Sequence, residues 1–184
     1  MHKILILGPQ GSGKGTQANI LSEKLGIPAL SMGGLLRDEA SSGSEMGNEI
    51  GAFQARGELV PDDVALKVLK KRLEESDAEN GYILDGYPRN MAQYETYHGF
   101  DTPTDIVLIT VPKEVSIERT MKRGALEGRN DDTRELIERR LDIYENDTRP
   151  VVEVYRNEGV SVHDIDGMGT IEEISQRVND SLGL

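Results

Sequence analysis

Residues 8–17, GPQGSGKGTQ, place glycines at positions 8, 11 and 13 and a lysine at 14 directly after the apolar run Ile4, Leu5, Ile6, Leu7. A glycine-rich turn lets successive backbone N–H groups curl around an anion, and an ammonium just beyond them extends the same positive site. That chemistry is the binding of a polyphosphate. The spacing fits G-x-x-x-x-G-K, but Gly15 follows the lysine and the hydroxyl arrives one place later, at Thr16. A helix over 14–25 would aim its positive end at the phosphates, with backbone N–H groups from Gly11, Ser12, Gly13, Lys14, Gly15 and Thr16 around them. GTPases, ATPases, motor proteins and small-molecule kinases share such a loop, so other residues must select the reaction.

Several charged residues stand where a solvated surface does not need them. DGYPRN at 85–90 closes an apolar run with an acid, a turn and an arginine, and ligands of open α/β sheets bind at strand carboxyl ends. Asp85 could hold Mg²⁺ through water, with Arg89 pointing into the same crevice, although an Asp-Gly pair alone is equally a plain turn. In TRELIERRLDIYEND the apolar residues Leu136, Ile137, Leu141, Ile143 and Tyr144 form a helical stripe. Arg140, four after Leu136 and three before Ile143, shares that face, whereas Arg139 points outward. A guanidinium there either snorkels to solvent or takes a partner, a structural acid or a transferred phosphoryl group. Arg123, just before the polar interruption GALEGRNDD at 124–132, and Arg129, within it, would let a mobile loop close over a bound triphosphate.

These residues need a scaffold that brings strand ends together. Five short runs, at 3–8, 27–32, 81–86, 105–111 and 160–166, alternate with helix-like segments. Near-continuous apolar runs such as ILIL and IVLITV suit strands buried on both faces, with the intervening segments as crossover helices. The expected class is α/β, a doubly wound parallel sheet in one domain over 1–184, with excursions near 30–60 and 124–132. The 184 residues are 36% hydrophobic, and no stretch nears the roughly 18 consecutive apolar residues of a membrane helix. With 33 acidic and 21 basic residues the net charge is -12, which disfavours nucleic acid and anionic membranes as partners, so a polyanion must be held by a local cluster. Zero cysteines exclude disulfides and thiolate metal sites. No charged leader with a long apolar segment opens the chain, and a cytoplasmic location is expected.

Taken together the motifs resemble the nucleoside monophosphate kinases, and within them the adenylate kinases with a short lid. GPQGSGKGTQ has that family's Gly-Lys-Gly-Thr form, and SMGGLLRDE (31–39), GELVPD (57–62), DGYPRNMAQ (85–93), KRGALEGRNDD (122–132) and ERRLDIY (138–144) follow in the family's order. The resemblance implies a five-stranded P-loop sheet of order 2-3-1-4-5 with helices on both faces, a monophosphate-binding insertion near 30–60 and a lid near 123–132. It implies phosphoryl transfer from Mg-ATP to AMP by a monomer. Lys14 would bridge the donor's β- and γ-phosphates, Arg119 pack on the donor base, and Arg37 and Arg89 hold the acceptor's phosphate. Arg123, Arg129 and Arg140 would surround the transferring group, with Asp131 and Asp132 as acids of the lid. Gln93 would read the acceptor adenine, and Ser31, Met32, Glu58, Val60 and Gly86 would complete that site.

Three positions depart from the family pattern. Met32 stands where threonine is usual, and Gly34 where a helix-capping acid is usual. Asn90 is similar to the UMP/CMP kinase branch, but that branch has asparagine in place of Gln93, so AMP is the expected acceptor and UMP or CMP the alternative. A P-loop ATPase or nucleotide switch is the alternative from another class. It leaves Arg37, Arg89 and Gln93 without a role.

Overall fold

The apolar run after Lys3 is split between two cores. Residues His2–Leu7 form β1, with Ile4 and Ile6 in one hydrophobic cluster and Leu5 and Leu7 in another, as the two-residue alternation of a strand dictates. Such a strand must be central. The computed structural model describes residues 1–56, 60–127 and 133–184, and in it β1 is the middle of five parallel strands in the order β2-β3-β1-β4-β5. The others are β2 (Ala29–Ser31), β3 (Gly81–Asp85), β4 (Asp105–Thr110) and β5 (Ser161–Asp166), with Ile4 opposite Ile83 on one side and Asp105 on the other. This is the expected order, and all five runs form strands.

Helices cover both faces. Against Ile4, Ile6, Ile83 and Val107 lie Ala18 and Leu21 of α1 (Lys14–Leu25). In chain order there follow α2 (Met32–Ser41), α3 (Glu45–Ala55), α4 (Asp62–Leu73), α5 (Met91–His98), α6 (Lys113–Glu127), α7 (Arg134–Ile143), α8 (Arg149–Asn157) and α9 (Ile171–Leu182). Ile174 and Val178 of α9 join the α1 face, while Leu69 of α4, Tyr97 of α5 and Val151 of α8 cover the opposite one. The excursion near 30–60 has a small core of its own, Ile50, Val64 and Val68 with Leu35, Leu36 and Val60 packed around it. Its helices are tied by the buried Glu39 carboxylate, which accepts from Ser44 Oγ at 2.6 Å and from Lys71 Nζ at 2.9 Å. The Ser44 and Lys71 hydrogen bonds hold that carboxyl below its ordinary range.

Two expectations need correction. Leu136 and Ile143 are exposed, at 39% and 46%, so the buried seam of α7 is Ile137 and Leu141, continued by Tyr144 in the π-helical turn Tyr144–Thr148. Those positions recur at four and three residues and therefore share one face. Arg140 still borders that seam, three after Ile137 and four before Tyr144, and is half-buried, while Arg139 is exposed as expected. Gly34 is not a cap. Ser31 is the N-cap of α2, and Gly34 lies inside its first turn.

Gly8, at φ 146, is where β1 leaves the sheet, and a Cβ there would lie 2.1 Å from the backbone oxygen of Ile109 in β4. Gly26, which ends α1 at φ 65, has open space around it. Gly26→Ala should therefore cost only the left-handed strain of about 1–2 kcal/mol. Gly8→Ala should add overpacking of about 1–3 kcal/mol to its own backbone strain. Equal losses in urea unfolding would show that the contact with Ile109 is not limiting.

Candidate active site

The loop between β1 and α1 is shaped by glycine. Gly8, Gly11 and Gly13 all have positive φ, and a Cβ on Gly11 would meet Ser116 O at 2.6 Å and Thr120 Oγ1 at 2.7 Å, so the loop lies backbone-close against α6. Gly13 is the N-cap of α1 and brings no side chain over the helix end. The N–H groups of the first turn are thereby left for a ligand. Gly15 and Thr16 are exposed at that turn, whereas Ser12 is fully buried.

Lys14 curls back over the loop, its Nζ donating to Gly8 O and Pro9 O, both at 2.8 Å. Burial pushes the ammonium down to about 8, with Asp85 opposing and Arg89 and Arg123 reinforcing the fall. Asp85 ends β3, and its Oδ2 would be 3.4 Å from a Cβ on Gly15. Burial raises the Asp85 carboxyl, and Lys14 and Arg89 hold it back. An acid and two cations thus share one low-water crevice at the carboxyl ends of β1 and β3, where each charge depends on the others.

Arg89 is held from behind. Its Nε donates to Gly86 O at 2.6 Å, and its own carbonyl accepts from the buried Thr148 Oγ1 at 2.7 Å. Gly86 is at φ 72, and a Cβ there would come within 3.2 Å of Arg89 Nη2, so a glycine is needed beneath the guanidinium. The Tyr87–Pro88 peptide between them is cis. One side of Arg89 is open to solvent, yet the crevice walls displace enough water to lower its pKa, Asp85 countering and Arg140 adding to the fall. Arg140 of α7 therefore acts on Arg89, and Arg123 of α6 on Lys14. Arg119 Nη1 donates to Gly167 O at 3.0 Å, tying α6 to the loop between β5 and α9.

The residues expected at the acceptor site lie on and around α2, α4 and α5. Ser31 and Arg37 are exposed, and Gly33, whose Cβ would be 3.3 Å from Arg37 Nη1, leaves room for that guanidinium at the start of α2. Val60 is half-buried against the insertion's core. Met32 is only 6% exposed and packs with Leu30, Leu84 and Tyr87 in the main core. Gln93 is half-buried, its Oε1 accepting from the Arg89 N–H at 2.8 Å and its Nε2 donating to Asp62 Oδ1 at 2.6 Å. Asn90, the position similar to the pyrimidine branch, is the N-cap of α5 and accepts the Gln93 N–H at 2.8 Å. Glu58, Arg129, Asp131 and Asp132 lie outside the described residues.

Asp62 and Thr148 were missed in the sequence as supports of this site. Asp62 ends the motif GELVPD and Thr148 follows the segment TRELIERRLDIYEND, but the groups they hold lie 31 and 59 residues away. Among the described residues no three His, Asp or Glu side chains converge as a metal cage. One carboxylate, Asp85, beside an exposed threonine hydroxyl and a phosphate cradle is the sparse oxygen set that suits Mg²⁺, which keeps water and phosphate oxygens as most of its ligands. No helix among the described residues is long and apolar enough to cross a membrane.

A family model for adenylate kinase matches residues 6–160. An adenylate kinase of Bifidobacterium longum is 44% identical over 181 residues, covering 96% of this chain and 97% of that protein. One from Xylella fastidiosa is 41% identical over 98% of this chain and 99% of its own, and one from a Nocardioides species 38% identical over 98% and 96%.

The lowered Lys14 pKa has a measurable consequence. Near pH 8.5 the empty protein should hold Lys14 mostly neutral, and a bound polyanion, which favours the ammonium, should draw in roughly three quarters of a proton. Calorimetric titration with inorganic tripolyphosphate in buffers of different ionisation enthalpy should show this extra uptake in wild type relative to Lys14→Met. The difference should vanish near pH 6.5, where Lys14 is already charged. An equal proton count in both proteins at pH 8.5 would contradict the assignment.

Proposed function

Because the chain belongs to the adenylate kinase family, its reaction is ATP plus AMP to two ADP, and we propose that the crevice around Lys14, Asp85 and Arg89 performs it. The observation that carries the proposal is a glycine-lined helix terminus beside Lys14, Asp85 and Arg89, with Arg123 acting on Lys14 and Arg140 on Arg89. Loss of water lowers the pKa of both Lys14 and Arg89, and an entering anion would favour their charged forms.

In the proposed mechanism the first-turn N–H groups of α1 and Lys14 hold the donor's β- and γ-phosphates, Lys14 exchanging two carbonyl partners for phosphate oxygens. Arg119 steadies the donor base. Arg37 and Arg89 hold the α-phosphate of AMP, and an oxygen of that phosphate attacks the γ-phosphorus as the bond to the β-bridging oxygen breaks. The nucleophile is already an anion, so no general base is required. Arg123 and Arg140, together with Arg129, neutralise charge spread over the three equatorial oxygens, where electrostatic stabilisation supplies most of the rate. Asp85, through water, and Thr16 would hold Mg²⁺, which when bound offsets charge on the donor phosphates. The 30–60 insertion would close over AMP and the segment 123–132 over ATP, within a cytoplasmic monomer built as one unit.

Steady-state turnover with ATP and each of AMP, UMP and CMP tests the acceptor. AMP should have the highest kcat/KM. Met32 lies under the acceptor site and packs into the core, so Met32→Thr should destabilise the fold yet keep AMP the best acceptor, its KM shifting by no more than about tenfold. Faster turnover of UMP or CMP by wild type, reversed in Met32→Thr, would assign acceptor choice to Met32 and overturn the reading.

A further inference from the structure

The amide of Gln93 is not free to turn. Its Oε1 takes the Arg89 backbone N–H at 2.8 Å, and its Nε2 gives a hydrogen to Asp62 Oδ1 at 2.6 Å. A main-chain N–H can only donate and a carboxylate can only accept, so reversing the amide would set donor against donor and acceptor against acceptor. Asp62 is the first residue of α4, so the acceptor comes from a different element than the Arg89 N–H. The orientation is therefore fixed from two independent elements.

With those two bonds made, Gln93 retains one lone pair on Oε1 and one hydrogen on Nε2. Side by side they offer an acceptor next to a donor. A 6-aminopurine presents the complement, a donor at N6 and an acceptor at N1. A 6-oxopurine presents the reverse, an acceptor at O6 and a donor at N1. We propose that Asp62 is a positioning residue that locks the polarity of the Gln93 amide and so makes the acceptor site select 6-amino over 6-oxo purine monophosphates. This rests on the reading above that Gln93 faces the acceptor base. Asp62 touches no substrate in this account and acts only through Gln93.

The neighbouring Asp63 supplies an internal control. It occupies the same first turn of α4, is exposed, and its carboxylate faces Lys67 at 3.5 Å. The test compares kcat/KM for AMP and IMP, at saturating ATP, in wild type, Asp62→Asn, Asp62→Glu, Asp63→Asn and Gln93→Leu. Wild type should prefer AMP over IMP by more than about tenfold. In Asp62→Asn the partner can donate as readily as accept, so one of the two constraints on the amide is lost, only the Arg89 N–H still opposes its reversal, and the preference should fall about tenfold, with the ATP KM unchanged. Asp62→Glu keeps an acceptor-only partner and should hold the ratio within about threefold of wild type, which a general loss of stability would not arrange. Asp63→Asn should leave the ratio as it was. An unchanged ratio in Asp62→Asn, or equal changes in Asp62→Asn and Asp63→Asn, overturns the polarity lock. If Gln93→Leu leaves AMP kinetics untouched, the placement of Gln93 at the base fails as well. If Gln93→Leu weakens AMP while Asp62→Asn keeps the ratio, that placement stands and the role of Asp62 alone is wrong.

Discussion

The burial of cations beside a single acid at the carboxyl ends of β1 and β3 is the constraint on which the rest of the molecule depends. Lys14 and Arg89 are both driven toward their neutral forms by loss of water, Arg123 and Arg140 push them further, and Asp85 is the acid that opposes the shift in both. Left to itself such a cluster would spread into solvent. It is held because the groups carrying it are fixed to a rigid sheet, by a loop that only glycine can trace and by hydrogen bonds from behind. Thr148 grips the Arg89 backbone, Gly86 O grips its side chain, and Gly167 O grips Arg119. The fold thereby stores a preference for an anion at one place on a chain whose net charge is -12. Long-range attraction contributes little here, and recognition is local.

The same economy appears on the acceptor side. Asp62 opens α4 and Arg89 lies at the main sheet's crevice, and both hold Gln93. On the proposed assignment the residue that would read the base is attached to the residue that would hold its phosphate, so one turn of chain, Gly86 to Gln93, would register both. Asn90 sits within that turn and caps α5, a structural task that accounts for the asparagine without invoking a pyrimidine acceptor.

How much of this could be read in advance depends on the distance over which each feature is determined. The five strands, the phosphate loop and the start and end of α1 were legible, because apolar alternation, glycine spacing and the Lys14–Leu25 pattern are local signals. The positions of Arg89 and Arg140 followed from strand-end and helix-face arguments. The stripe used for Arg140 was too broad, since Leu136 and Ile143 satisfy a helical period yet face outward, and periodicity alone does not say which apolar row meets a neighbour. The burial of Met32 in the main core is a further feature that spacing alone does not give. A motif position next to a base can still point its side chain into the core, and only the packing of α2 on β2 and β3 decides it. The supports from Asp62 and Thr148 were illegible because their partners are fixed by tertiary contact, not by spacing.

The central claim is that the cationic crevice is a liability in the empty protein and an asset once an anion is bound. Equilibrium urea unfolding of wild type and Lys14→Met at neutral pH, each with and without inorganic tripolyphosphate, measures this directly. The account predicts that the empty variant is at least as stable as wild type. It further predicts that an anion at a hundredfold excess over its Kd stabilises wild type by about 2.7 kcal/mol and the variant by much less. A variant that is less stable when empty and gains as much from the anion as wild type would contradict it.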